Sequence, residues 1–303
     1  MIDFKPLTLE NRADYDRFLF RCGERGCEYS FVNLYLWGRQ QAAIHGDHLL
    51  FFSQFNRRSV YLFPVGNGDL RPALDAVIDD AAQRGIPCRF TGLTHDDCAT
   101  LEQLYPGQFH YHFDRDSFDY IYDIHDLADL KGRKFQRKRN HLNRFRQNHP
   151  NCNLVPVTPD NLDAVKTLVS TWYTVRLEEN PHADFLMEQA AIHKALRNWQ
   201  ALKMEGLLLM EDGQPLAVAM GSPLSETTFD IHFEKALDIA DGAYPAINQG
   251  FASYLREKYP EIRWLNREDD MGIEGLRKAK LSYYPVHMIE KNWACLLEEC
   301  YDY

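Results

Sequence analysis

Phe4-Lys5-Pro6-Leu7-Thr8-Leu9-Glu10-Asn11 is echoed about halfway along the chain by Leu154-Val155-Pro156-Val157-Thr158-Pro159-Asp160-Asn161, with Pro, Thr and Asn in register. Each octet reads as a short strand entering a helix. The Thr is an N-cap residue type, and Glu10 or Asp160 follows in the first turn, where an acidic group complements the helix dipole. After the second copy, Leu162, Val165, Leu168, Val169 and Trp172 fall on one helical face. A repeat at this spacing predicts two similar lobes in one chain.

The elements that follow each octet come in the same order. Ala43 to Leu50 and Leu209 to Leu216 are strand pairs around Gly46-Asp47 and Asp212-Gly213, residue types suited to the positive backbone angles of tight hairpins. Next come two amphipathic helices, with Leu70, Leu74, Val77, Ile78 and Ala81 on one face of the first and Tyr244, Ile247, Phe251, Tyr254 and Leu255 on one face of the second. They feed strands at Cys88–Leu93 and Ile262–Asn266, so each half has a strand, helix, strand crossover between parallel strands. Each half then ends in apolar, β-rich sequence, Phe109 to Asp123 and Pro285 to Leu297. Between the halves, Asp126 to Asn148 reads as a long, polar, basic helix. The expected division is therefore 1–126 for the first lobe, 127–150 for a basic helical connector and 151–303 for the second lobe. The fold class is α/β (α+β), each lobe a mixed, mostly antiparallel sheet flanked by helices.

With 303 residues, 45% hydrophobic and 26% charged, the chain has the balance of a folded globular protein and the length for two domains. No stretch reaches the roughly 18 apolar residues of a membrane span, and the charged first nine residues do not read as a signal peptide, so a cytoplasmic location is expected. The seven cysteines are scattered and odd in number, which suits small, reduced thiols; no ligand spacing is complete, and no metal is expected. The net charge of −10 opposes indiscriminate binding to polyanions. Lys131, Arg133, Lys134, Arg137, Lys138, Arg139, Arg144 and Arg146 nevertheless lie in one stretch without an acidic residue.

Three stretches carry a family resemblance: Asp129-Leu130-Lys131-Gly132-Arg133-Lys134, Lys138 to Phe145, and Leu265-Asn266-Arg267-Glu268-Asp269-Asp270-Met271-Gly272 with Gly275 to Tyr283. Over essentially its full length the chain resembles the phosphatidylglycerol lysyltransferase C-terminal family, related to the Fem aminoacyl transferases and built of two tandem GNAT-like lobes. The resemblance implies transfer of an acyl or aminoacyl group from acyl-CoA or aminoacyl-tRNA to an amine or hydroxyl acceptor, a small molecule or a lipid. The rival reading is a catalytically degenerate GNAT-fold module that binds RNA or another polyanion.

Such a transfer needs a held donor, a polarised carbonyl and a base. The second lobe offers candidates for each. In Thr228 to Glu234 the alternation puts Asp230, His232 and Glu234 on one face; it holds a base, His232 or Glu234, unless it is the solvent side of the sheet. Asn266 and Arg267 stand at the carboxyl end of a parallel strand, where open α/β sheets bind ligands, and the resemblance places Asn266 against the donor. Lys278 occupies the position of the usual Tyr acid, which leaves Tyr283 or Tyr284 for that role. Lys278 and Lys280 are candidates for donor phosphates or are simply solvated. A helix N-terminus at Gly242-Ala243 would cradle a pyrophosphate, although neither it nor Phe63 to Gly68 carries the full glycine signature. The basic residues Lys131, Arg133, Lys134, Arg137, Lys138 and Arg139 fit a tRNA backbone, peripheral contact with an anionic membrane, or a solvated connector.

Overall fold

The two copies of the octet make the same hydrogen bonds. The Asn11 carboxamide accepts from the Thr8 N–H (2.9 Å) and donates to the Pro6 carbonyl (3.2 Å). Asn161 accepts from the Thr158 N–H (2.8 Å) and donates to the Pro156 carbonyl (2.9 Å). In both, the Asn side chain ties strand to helix by pairing with turn backbone. The computed structural model describes residues 1–297 except 21, 23, 56, 57 and 183.

From the first copy, β1 (Lys5–Pro6) leads through α1 (Arg12–Leu19) and α2 (Phe31–Trp37) to an antiparallel run of β2 (Gln40–His45), β3 (His48–Phe55) and β4 (Arg58–Gly66). Then α3 (Arg71–Arg84) buries Leu74, Val77 and Ala81, and ends at left-handed Gly85. It delivers the chain to β5 (Arg89–Leu93), parallel to β4 as the crossover requires. The capped helix α4 (His95–Leu104) and β6 (Phe109–Phe113) follow.

The expected basic helix is interrupted. After β7 (Asp119–Asp123), α5 (Ile124–Asp129) stops because Leu130 takes a left-handed conformation (φ 50°), and α6 (Gln136–Asn148) starts only beyond Gly132 (φ 85°). Leu127, Ala128, Leu130 and Phe135 are buried, so this stretch is anchored rather than a free polar rod. The second copy then gives β8 (Cys152–Pro156), α7 (Leu162–Glu179) and α8 (Leu186–Arg197). The antiparallel β9 (Glu205–Glu211), β10 (Gln214–Pro223) and β11 (Thr228–Ala236) follow, with Asp212 and Gly213 both at positive φ in the first turn, as a type I′ hairpin demands. Next, α9 (Ala243–Lys258) buries Ile247, Phe251 and Leu255 but leaves Tyr244 36% exposed, so that residue lies off the face expected for it. It feeds β12 (Trp264–Asn266), parallel to β11. The remaining elements are α10 (Glu274–Leu281), β13 (His287–Ile289) and β14 (Asn292–Leu296).

Among the described residues the strands form two seven-stranded mixed sheets, ordered β1-β2-β3-β4-β5-β14-β6 and β8-β9-β10-β11-β12-β7-β13. The orders match position by position, which is the two-lobed architecture read from the repeat. The strand beside the parallel pair is exchanged: β14 from the second half pairs with β5 and β6, and β7 from the first half pairs with β12. The compact units are accordingly interleaved in sequence, unlike the contiguous division expected at 127–150. One comprises Met1–Tyr120, Glu268–Lys278 and Met288–Tyr303, the other Ile121–Arg267 and Ala279–His287. Cys22, Cys27, Cys88, Cys98 and Cys152 are thiols. Cys295 is disulfide-bonded, which departs from the expectation of thiols throughout, and Cys300 lies outside the described residues. Among the described residues, no helix is long and apolar enough to cross a membrane.

Candidate active site

In β11 both faces are covered, and this excludes the solvent-side reading of its polar residues. Asp230 has no exposed surface, His232 is 9% exposed, and Phe229 and Phe233 are buried beside them. Both ring nitrogens of His232 are engaged. Nε2 lies 2.8 Å from the Ser222 hydroxyl and Nδ1 lies 3.5 Å from an Asp230 carboxylate oxygen. Ser222 is the register partner of Asp230 across the β10–β11 pair. The succession Ser222, His232, Asp230 has the residue order of a nucleophile, its base and an orienting acid, with one hydrogen bond, one ion-pair distance and all three residues buried.

Glu234, two residues on, reaches a different set of groups. Its carboxylate accepts from Asn248 Nδ2 on α9 (3.1 Å) and from Arg267 Nη2 at the end of β12 (3.1 Å). Arg267 lies 5.1 Å from the Tyr283 ring centre and 5.6 Å from that of Tyr122. Lys138 from α6 places its ammonium 3.8 Å from the same Tyr283 ring. Two cations against one ring repel each other, while cation–π contact holds them there. Burial, and then the Arg267 charge, push the Lys138 ammonium down to about 8. Burial also raises the Tyr283 phenol, with Arg267 opposing it. Two polar atoms in this cluster are buried without a hydrogen-bond partner among the described residues: Arg267 Nη1, a donor, and Asn248 Oδ1, an acceptor.

The other sequence candidates distribute as follows. Asn266 is fully buried in β12, in register with Asp230 and Ile121. Lys280 is buried and donates to the Arg267 carbonyl, so it fixes the backbone that carries the guanidinium. Lys278 is exposed and pairs with Glu274 on α10. Tyr284 is exposed, its ring edge-on to Phe135. Glu268 and Asp270 belong to the first unit, where Asp270 accepts from Arg277 at 2.7 and 2.9 Å. Gly242 (φ 97°) is the N-cap of α9, and a Cβ there would lie 2.9 Å from Phe145 Cβ and 3.2 Å from the His141 carbonyl of α6. The Ala243 N–H already donates to Ala240, and Pro245 has none, so little of that turn is open to a pyrophosphate. Of the basic residues, Lys131, Arg133, Lys134 and Arg137 are exposed, whereas Arg139 donates to the Leu130 and Gly132 carbonyls and Lys138 is drawn into the cluster above.

Sequence reasoning missed Asn248 and the role of Lys138; the only signal for Asn248 was a polar residue on the apolar face of α9. Two groups that each lie within a single unit bring three metal-ligand types together. Cys27, Glu28 and Asp119 already surround the Lys291 ammonium at 3.4, 3.0 and 2.6 Å. His149, Cys152 and Glu211 have ligand atoms within 4.8 Å of one another and could hold an ion.

A crystal structure of a protein of unknown function from Bacteroides thetaiotaomicron is 40% identical in sequence and superposes with a TM-score of 0.93 over 98% of this chain and all of that one. FemX shares the fold at a TM-score of 0.64, with 11% identity over 97% of both chains. A tandem GNAT protein from the clavulanic acid biosynthesis pathway shares it at 0.52, with 10% identity over 97% of this chain and 98% of that one. A curated protein of Mycoplasmoides gallisepticum is 23% identical over 176 residues, 58% of this chain, which spans about half (55%) of that relative's length. FemX and the tandem GNAT protein thus carry the same two-lobed fold as this chain. Residues 20–295 match the family described as phosphatidylglycerol lysyltransferase, C-terminal, and the chain belongs to that family.

Proposed function

We propose that the second unit transfers an aminoacyl group from aminoacyl-tRNA to an amine or hydroxyl of a small-molecule or lipid acceptor. The observation that carries this reading is Arg267 Nη1, a buried guanidinium N–H without a partner among the described residues, on a side chain whose other arm Glu234 holds. Leaving such a donor unpaired costs roughly 1–3 kcal/mol, and a carbonyl oxygen acquiring negative charge would pair it, as in an oxyanion hole. Lys138 is the base: an ammonium lowered to about 8 is partly neutral near physiological pH and can take a proton.

The acceptor nitrogen or oxygen attacks the ester carbonyl carbon as Lys138 takes its proton, and the new bond forms while Arg267 holds the oxyanion. The ester C–O bond then breaks, and Lys138 returns the proton to the departing ribose oxygen. Glu234 and Asn248 position Arg267, His232 braced by Asp230 and Ser222 stiffens the strand, and Tyr283 is the ring platform for both cations. Two observations favour tRNA over coenzyme A. The α9 N-terminus faces Phe145 and His141 and offers few open amides, and Lys131, Arg133, Lys134 and Arg137 form an exposed basic stretch suited to phosphates.

The test is a transfer assay with radiolabelled lysyl-tRNA and alanyl-tRNA, acceptors being phosphatidylglycerol vesicles and a panel of small amines, and acetyl-coenzyme A as the rival donor. Transfer from a charged tRNA that Arg267→Gln lowers about 100-fold without changing the melting temperature supports the reading. Transfer from acetyl-coenzyme A alone would sink it. Salt-dependent RNA binding with no transfer to any acceptor would favour the degenerate, RNA-binding alternative.

A further inference from the structure

The first unit contains a cavity of about 250 Å³ that the transfer chemistry does not use. It lies on the sheet face that carries Phe51, Val60, Leu62 and Trp293, the face opposite the one packed against α3, and its wall is largely apolar. Its charged lining residues are Glu28, Asp114 and Lys291. The Lys291 ammonium is shared between Glu28 Oε2 (3.0 Å) and Asp119 Oδ1 (2.6 Å), so two carboxylates face one ammonium. Arg25 is paired with Asp97. The second oxygen of Glu28, Oε1, is buried and has no hydrogen-bond partner among the described residues. Gly92, at φ 70°, packs beside it, and a Cβ there would stand 2.7 Å from that oxygen.

An unpaired buried carboxylate oxygen with a local excess of negative charge calls for a cationic donor, and the apolar wall calls for a hydrocarbon body. We propose that this cavity binds a small primary amine with an apolar tail, its ammonium donating to Glu28 Oε1 and its tail lying along Phe51, Val60, Leu62 and Trp293. The volume falls just below the roughly 300–1,000 Å³ of sites for drug-sized ligands, which sets the ligand at the size of a short alkyl or arylalkyl amine. The site stands apart from the transferase reading, since none of its residues belongs to the Arg267 cluster.

Calorimetric titration of the full chain with hexylamine, hexanol and hexanoate at neutral pH tests the charge and the tail together. Hexylamine is expected to bind at least about 10-fold more tightly than hexanol, with hexanoate silent. Glu28→Gln removes the charge and should lower hexylamine affinity about 10-fold or more. Glu28 also holds Lys291, so Val60→Trp serves as a second variant: it leaves every charge in place, fills the cavity and should abolish the heat. No hexylamine binding to the unaltered protein, equal binding of amine and alcohol, or binding that survives Val60→Trp would each overturn the proposal.

Discussion

Arg267 and Lys138 share one aromatic ring yet stand in different electrostatic positions. Glu234 compensates the guanidinium, while the ammonium has its charge partly suppressed by burial and by that guanidinium. As the base, Lys138 works only when neutral, so kcat/KM should rise with pH through an apparent pKa of about 8 and level off above it. Lys138→Met should lower the rate about 100-fold and flatten that limb, which a pH–rate profile reads directly. Asp270 in the first unit shows the opposite balance. Burial alone would raise its carboxyl, but the bonds from Arg277 and Tyr120 outweigh burial and hold it well below the usual carboxylate range. A carboxyl depressed by folding stabilises above its unfolded pKa, near 3.9, and loses that contribution as pH falls through the lower folded value. Asp270→Asn should therefore destabilise the protein at pH 7 by about 2 kcal/mol, and the deficit should shrink toward pH 3 in urea titrations. Of these residues, alternation in β11 exposed Glu234, and the strand end exposed Arg267. Lys138 was not legible, because the eight cations between 131 and 146 look equally solvated and only the fold chooses which one is buried.

At the scale of elements, the octet, both hairpins and both parallel crossovers could be read from the sequence because each rests on local chemistry: an Asn bonding its own turn, a two-residue loop at positive φ, an apolar helical stripe. The break between α5 and α6 was hidden, since Leu130 carries no mark of the left-handed conformation it takes. The packing of α6 on the first turn of α9 depends on Gly242, and Gly242→Ala combines a strained φ with a Cβ 2.9 Å from Phe145. Thermal unfolding of that variant should show a loss of about 1–3 kcal/mol. Charge also acts at this scale. Reversing Lys131, Arg133, Lys134 and Arg137 together should weaken RNA binding at every sequence. It should also flatten the salt dependence by roughly 0.7–0.9 in log–log slope for each phosphate no longer neutralised, read by filter binding across a salt series.

Across the whole molecule, what pattern could not reveal is which sheet each terminal strand joins. Tyr120, Ile121 and Tyr122 are all buried, and so are Ala294 and Cys295, but burial says nothing about the partner. The exchange of β7 and β14 leaves neither half of the sequence with all the strands of its own sheet. Fragments 1–150 and 151–303, expressed separately, should each lack cooperative unfolding, whereas the full chain, with both sheets complete, should unfold cooperatively; calorimetry of the three species checks this. The position of β14 also bears on how the protein is made. It lies between β5 and β6, so the first sheet is split until residue 296 has left the ribosome, and β5 and β6 wait with unpaired edges through the synthesis of nearly two hundred residues. The lobe translated first is thus obliged to finish last, and in the cell its open edges are the natural point for a chaperone to engage.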